Sequence, residues 1–191
     1  LILVSRVLTR HPALAKQLAL SKDQNGREAI SIADSRVRAL MEKHILFLGR
    51  FDMGKPVHKS ATSYVFHATD KGSVGEDNEG TDVEVKVALK FIKDKSQYLR
   101  EMTARARLDA SSQGSIIPIL ASYDGDTDES LVAALANRGD LSEYRYMHVF
   151  PLMERSLFDM LSHDSLCGKY GKVQVIVSQI TACLQLAHAH G

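Results

Sequence analysis

The sequence predicts an α+β fold in which five strands carry one helix, with helical segments before and after them. Three observations lead there. Apolar residues recur at helical spacing through residues 1–48. From Gly49 the period changes to two, and in "VEVKVALKFI" Val83, Val85, Val87, Leu89 and Phe91 fall on one face. The i, i+3/i+4 spacing then returns near the end, at Val173, Ile176, Ile180, Leu184 and Ala187.

Element by element, Leu1, Val4 and Leu8 mark a first helix, and Pro12 suits the first turn of a second that bears Leu14 and Leu18. "KDQNG", residues 22–26, is turn chemistry, because Asp, Asn and Gly tolerate the left-handed backbone. "REAISIA" is a short helix, and Ser35 is placed to cap the next, with Val37, Leu40, Ile45 and Leu48 as its apolar positions. "RFDM", "TSYVFHAT" and "VEVKVALKFI" read as three strands, the last two joined by the acidic hairpin loop "GSVGEDNEG". A helix is expected over 95–109. Two further strands, "SIIPILASYD" and "YRYMHVFPLM", are joined by a long acidic connection from Gly125 to Glu143. "SLFDMLS" and "VQVIVSQITACLQLAHAHG" close the chain as helices.

With 191 residues, 45% hydrophobic and 25% charged, the composition is that of a globular protein able to bury a core. A formal net charge of +1, with basic residues scattered among acids, argues against a nucleic-acid binder. Cys167 and Cys183 have no metal-ligand spacing and make no disulfide framework, which points to a reducing, cytoplasmic compartment. "LILVSRVLTR" is too short and too charged for a membrane span or a secretory signal. A start at Leu1 without methionine, and an end directly after a helical run, suggest a piece of a longer protein.

The residue that asks for an explanation is Lys90, an ammonium set between Ala88 and Ile92 on an otherwise apolar strand. "VALK" resembles the V-A-I-K motif of eukaryotic protein kinases, whose lysine contacts the α- and β-phosphates of ATP. The resemblance implies a glutamate on the next helix that fixes the flexible lysine stem, and Glu101 in "YLREMTAR" occupies that place. The family's G-x-G-x-x-G-x-V loop falls on "HKSATSYV", preceded by Val57. His58, Ser60 and Ser63 stand where glycines are expected, so hydroxyls of Ser60, Thr62 and Ser63 would donate to phosphate oxygens in place of closely approaching backbone. "VFPLMERSLFDML" is similar to the stretch through the interlobe hinge. That implies Phe150 as gatekeeper, Pro151, Leu152 and Met153 as hinge, and Val65 and Ala88 as an apolar roof over adenine. Pro151 lacks an N–H, but the family uses only the carbonyl at that position; Met153 would supply the other contacts.

"LQLAHAHG" resembles the L-x-x-L-H-x-x-G end of the helix that leads into the H-R-D catalytic loop, with Ala187 in place of leucine and His188 and Gly191 matching. A metal site there is disfavoured, because residues two apart on a helix diverge. The resemblance puts the catalytic aspartate, the Mg²⁺ ligands and the D-F-G aspartate beyond Gly191. Upstream, "NGREAISIA" resembles the start of an ankyrin repeat, G-x-T-P-L-x-x-A, with glutamate at the threonine position. Residues 1–45 are then an ankyrin-type segment that recruits protein partners, or a plain helical extension packed on the next domain. The resemblance implies that residues 46–191 are an incomplete protein-kinase-like domain, with a five-stranded antiparallel sheet and one helix followed by the first helices of a second lobe. The function implied is Ser/Thr-directed transfer of the γ-phosphoryl group of ATP to a protein hydroxyl, with Lys90 and Glu101 orienting the triphosphate; this fragment alone would be inactive. The alternative is a pseudokinase or ankyrin scaffold that acts through protein contacts.

Overall fold

The structure is a computed structural model that describes residues 12–72, 85–109, 116–164 and 166–189. The helix expected around Leu1, Val4 and Leu8, most of the "GSVGEDNEG" loop, Val83 and Gly191 lie outside the described residues. The elements are α1 (Pro12–Ala19), α2 (Ala29–Ile32), α3 (Ser35–Ile45), β1 (Phe51–Lys59), β2 (Ser63–Asp70), β3 (Val85–Ile92), α4 (Lys95–Asp109), β4 (Ala121–Asp124), α5 (Glu129–Ala136), a 3-10 turn (Gly139–Leu141), β5 (Tyr146–Pro151), α6 (Leu157–His163) and α7 (Tyr170–Ala189). The sheet is five-stranded, in the order β1-β2-β3-β5-β4, with every pairing antiparallel. Among the described residues no helix is long and apolar enough to cross a membrane.

The helical segment is held by short-range polar contacts. Asp23 accepts from the backbone N–H groups of Asn25 and Arg27 and from Arg27 Nε, while Gly26 takes φ +76° to complete the turn. Arg38 of α3 reaches back to the carbonyls of Ile30, Ser31 and Ala33, satisfying acceptors that the short α2 leaves open. The cap of α3 is Asp34 rather than Ser35. Its carboxylate accepts from the N–H groups of Arg36 and Val37, and its extended backbone lets the side chain fold over the helix start, leaving Ser35 as the first helical residue.

Period-two alternation decides the sheet. Val87, Leu89 and Phe91 are all fully buried on one face and join Phe51, Phe66, Met147 and Val149. That face needs a cover, and α5 supplies it with Leu131 and Leu135, one helical turn apart, beside Leu141 and Tyr144. A helix thus occupies part of the stretch expected to be connection. Asp128 caps it by accepting from Ser130 and Leu131 N–H, at 2.9 and 3.2 Å. Two strands also differ from expectation. β1 runs on to Lys59 through Gly54 and Pro56, which a strand tolerates at the sheet edge and where the register with β2 shifts. "SIIPILASYD" contributes only Ala121–Asp124. Gly125 follows β4 because a Cβ there would collide with the Arg145 carbonyl oxygen.

Candidate functional site

Lys90 lies mid-strand, paired in register with Val65 of β2 and His148 of β5. Helix α4 crosses this second face of the sheet, and its Tyr98 ring stacks on Tyr146 and on His148, with centroids 5.0 and 4.6 Å apart. Glu101 is three residues beyond Tyr98, so the same helix face carries it toward the strand. Its Oε1 accepts from Lys90 Nζ at 2.5 Å and from Gln97 Nε2 at 3.3 Å. Each of the paired side chains keeps only 23% of its exposure. Burial works to raise the Glu101 pKa, but the hydrogen bond and charge of Lys90, helped by Gln97, outweigh it and hold the carboxyl below its ordinary value. Lysine and glutamate are therefore locked as a charged pair, with the ammonium tethered at one edge of the uncovered part of the face.

The cross-strand pairs His67–Ala88 and Ala88–Phe150 put Ala88 beside Lys90 on that face, and Val65 lies opposite Lys90. Farther out, where α4 no longer covers the sheet, a cavity of about 390 Å³ is lined by Asp52, Gly54, His67, Thr69, Lys86 and Leu152. Lys86 Nζ donates to Thr69 Oγ1 at 2.8 Å, and Leu152 N–H donates to the Lys86 carbonyl at 3.2 Å, which ties the segment after β5 to the cavity wall. Pro151 ends β5 opposite Val87, where a missing N–H costs the ladder least, and Met153 is 47% exposed. Phe150 is half-buried, with the Arg105 guanidinium 4.8 Å above its ring and His148 edge-on at 5.9 Å. The arrangement can seat a flat apolar group against Ala88 and Val65 and present a fixed cation to an anion.

The hairpin between β1 and β2 is built differently. His58 pairs with Val65 and Lys59 with Tyr64, so residues 60–62 form the tip. Ser60 Oγ accepts from Ser63 N–H at 3.0 Å and lies 3.0 Å from Ser63 Oγ, and Ser63 is buried. These two hydroxyls close the turn on each other. The Thr62 carbonyl accepts from Lys93 N–H, fixing the tip to the end of β3, and Val57 is exposed on the edge strand. The structure thus brings Lys90, Glu101, Val65, Ala88 and Phe150 together on one face and turns the Ser60 and Ser63 hydroxyls toward each other.

His148, fully buried, was not singled out from the sequence, although its place between Tyr146 and Phe150 at period-two spacing is the signal that puts it on the Lys90 face. Its Nδ1 is 3.0 Å from Ser122 Oγ of β4. Burial pushes its pKa down, and Glu101 opposes that only in part. At the far end His188 is an exposed residue of α7. Among the described residues no group of three or more His, Cys, Asp or Glu could hold a metal ion. No protein-family model matches the chain, and no curated protein matches it.

Proposed function

We propose that this chain carries the nucleotide-positioning part of an ATP-dependent protein kinase, Ser/Thr-directed, and that Lys90 is its phosphate ligand. The supporting observation is the Lys90–Glu101 pair, which joins the middle of β3 to α4 beside an open stretch of sheet face. A lone ammonium on a four-carbon stem positions phosphate poorly; tethered by a carboxylate that is itself half-buried, it becomes a fixed charge. In this reading Lys90 contacts the α- and β-phosphates and Glu101 fixes its direction. Val65 and Ala88 cover adenine, Phe150 closes the back of its pocket, and Pro151 and Met153 take its polar edge. The chemistry asked of these residues is positioning and electrostatics, with no covalent step. Side chains beyond Gly191 would hold magnesium and orient the attacking hydroxyl. Residues 1–45 would recruit protein partners as an ankyrin-type segment, in a cytoplasmic protein.

A second reading, a kinase-like scaffold that binds proteins and not nucleotide, is favoured by the hairpin tip, where Ser60 and Ser63 spend their hydroxyls on each other. Titrating the chain with ATP separates the two. Binding that is lost in Lys90→Met and weakened in Glu101→Gln, with both variants folded, supports the nucleotide cleft. Equal binding by wild type and Lys90→Met, or none by any of them, favours the scaffold. In a chain that continues past Gly191, Lys90→Met should also lower phosphoryl transfer by orders of magnitude, roughly the 10²–10³-fold that loss of one preorganised charge costs.

A further inference from the structure

We propose that His148 is a positioning residue for the Lys90–Glu101 pair, holding the second carboxylate oxygen of Glu101 when neutral and drawing Glu101 off Lys90 when protonated. The nucleotide readout below rests on the proposed function; the electrostatic linkage goes beyond it.

His148 is fully buried directly across the β3–β5 ladder from Lys90. Its ring is fixed on three sides: Tyr98 stacks on it at an interplanar angle of 14°, Phe150 meets it edge-on, and Ser122 Oγ touches Nδ1. Two buried polar atoms of this cluster, His148 Nε2 and Glu101 Oε2, have no hydrogen-bond partner among the described residues. They are complementary in kind. In the tautomer whose Nδ1 accepts from the Ser122 hydroxyl, the neutral imidazole carries its proton on Nε2 and is a donor, while a carboxylate oxygen is an acceptor. Leaving both unsatisfied within one buried cluster is costly, and a turn of the Glu101 carboxylate toward the ring would join them.

The charged and titratable groups facing the ring are Tyr98, Glu101 and Arg105 from α4, Lys90 from β3 and Tyr146 from its own strand; β4 contributes the neutral Ser122. Burial, Lys90 and Arg105 all oppose a proton on His148, while the Glu101 charge first and then the Tyr98 backbone favour one. A proton that does bind therefore enlists Glu101 as counter-ion, in competition with the Lys90 ammonium. The imidazole is in this way a neutral buttress at physiological pH and a competitor below it.

The test follows the Glu101 side-chain carboxyl carbon and the His148 ring by NMR, from about pH 8 to about pH 5, in the whole chain, in His148→Gln and in His148→Leu. Glutamine keeps a donor near the place of Nε2 but cannot titrate, and it guards against a leucine variant that fails to fold. The expected result is a Glu101 shift that tracks the His148 titration in wild type and is absent in His148→Gln. In parallel, affinity for ADP with Mg²⁺ should fall roughly tenfold more in wild type than in His148→Gln across that range, the worth of one charge-assisted hydrogen bond. A Glu101 signal that stays still while His148 titrates, an imidazole neutral throughout, or a His148→Gln profile identical to wild type overturns the proposal. If no variant binds ADP at any pH, the nucleotide reading fails, and the carboxyl signal alone decides the role of His148.

Discussion

Replacing Lys90 by methionine keeps much of the stem's volume and deletes the ammonium, leaving Glu101 with one long hydrogen bond from Gln97 and a buried second oxygen without a partner. Breaking a fully buried ion pair costs about 3–5 kcal/mol and an exposed one about 0–1 kcal/mol. Both partners here retain 23% exposure, so an intermediate loss of about 2 kcal/mol is expected near neutral pH. The loss must also depend on pH. In wild type the folded-state pKa of Glu101 is depressed, so its contribution is complete above the unfolded value and is lost as pH falls through the folded one. Without Lys90, burial dominates and the folded-state pKa rises. Stability is then greatest in acid and falls as pH increases through that raised pKa. The gap between wild type and variant should accordingly be small near about pH 4 and approach its full size near about pH 7. The chain has no tryptophan, so urea unfolding is followed by far-UV circular dichroism at each pH. The double variant Lys90→Met/Glu101→Gln should recover most of the loss at neutral pH, because neither charge is then left behind. A gap of constant size across the range, or no gap at neutral pH, would refute the electrostatic account of this pair.

Leu131 is fully buried between α5 and the sheet, so Leu131→Ala should cost about 2–5 kcal/mol in the same urea assay, against less than about 0.5 kcal/mol for the exposed Val132→Ala. Asp70, against burial, is held at lowered pKa by the Arg50 fork at 2.6 Å and by Gly72 N–H; Asp70→Asn should remove stability above the ordinary aspartate pKa and have little effect below the depressed one, read from melting curves across that range. Helix α7 exposes Val175, Val177 and Leu184, and sedimentation should show self-association that Val177→Lys with Leu184→Lys reduces.

The sheet was legible wherever one rule decided an element. Alternation from Val85 to Ile92 fixed β3, and the polar run beginning at Lys95 gave α4 with the bounds the structure shows. Lys90 and Glu101 were readable as a pair through the resemblance of "VALK" to the kinase motif, which implies a helix glutamate as the lysine's partner, and the two side chains do meet. The rest depended on information that arrives only with packing. "DESLVAALA" is short and lies among acids, and what makes it a helix is the apolar face of β3 and β5 that it covers. β1 carries Gly54 and Pro56, which argue against a strand until it is known to be the edge. His148 looked like one polar residue in an apolar run; its meaning comes from what stands across the ladder, and pairing register is not written in either strand alone.

The proposed nucleotide cleft is tested most directly with an ATP analogue carrying an acyl group on its terminal phosphate, which transfers that group to a lysine amine held against the phosphates and releases ATP. The sites of acylation are then read by mass spectrometry of the chain. Lys86, on the same face of β3, and Lys93, just past its end, serve as internal controls. Acylation of Lys90 well above both, suppressed by excess ATP and strengthened by an intact Glu101, is the result predicted. Lys90 modified no faster than Lys86 and Lys93, or modified equally with and without ATP, would contradict a phosphate-binding role for the pair.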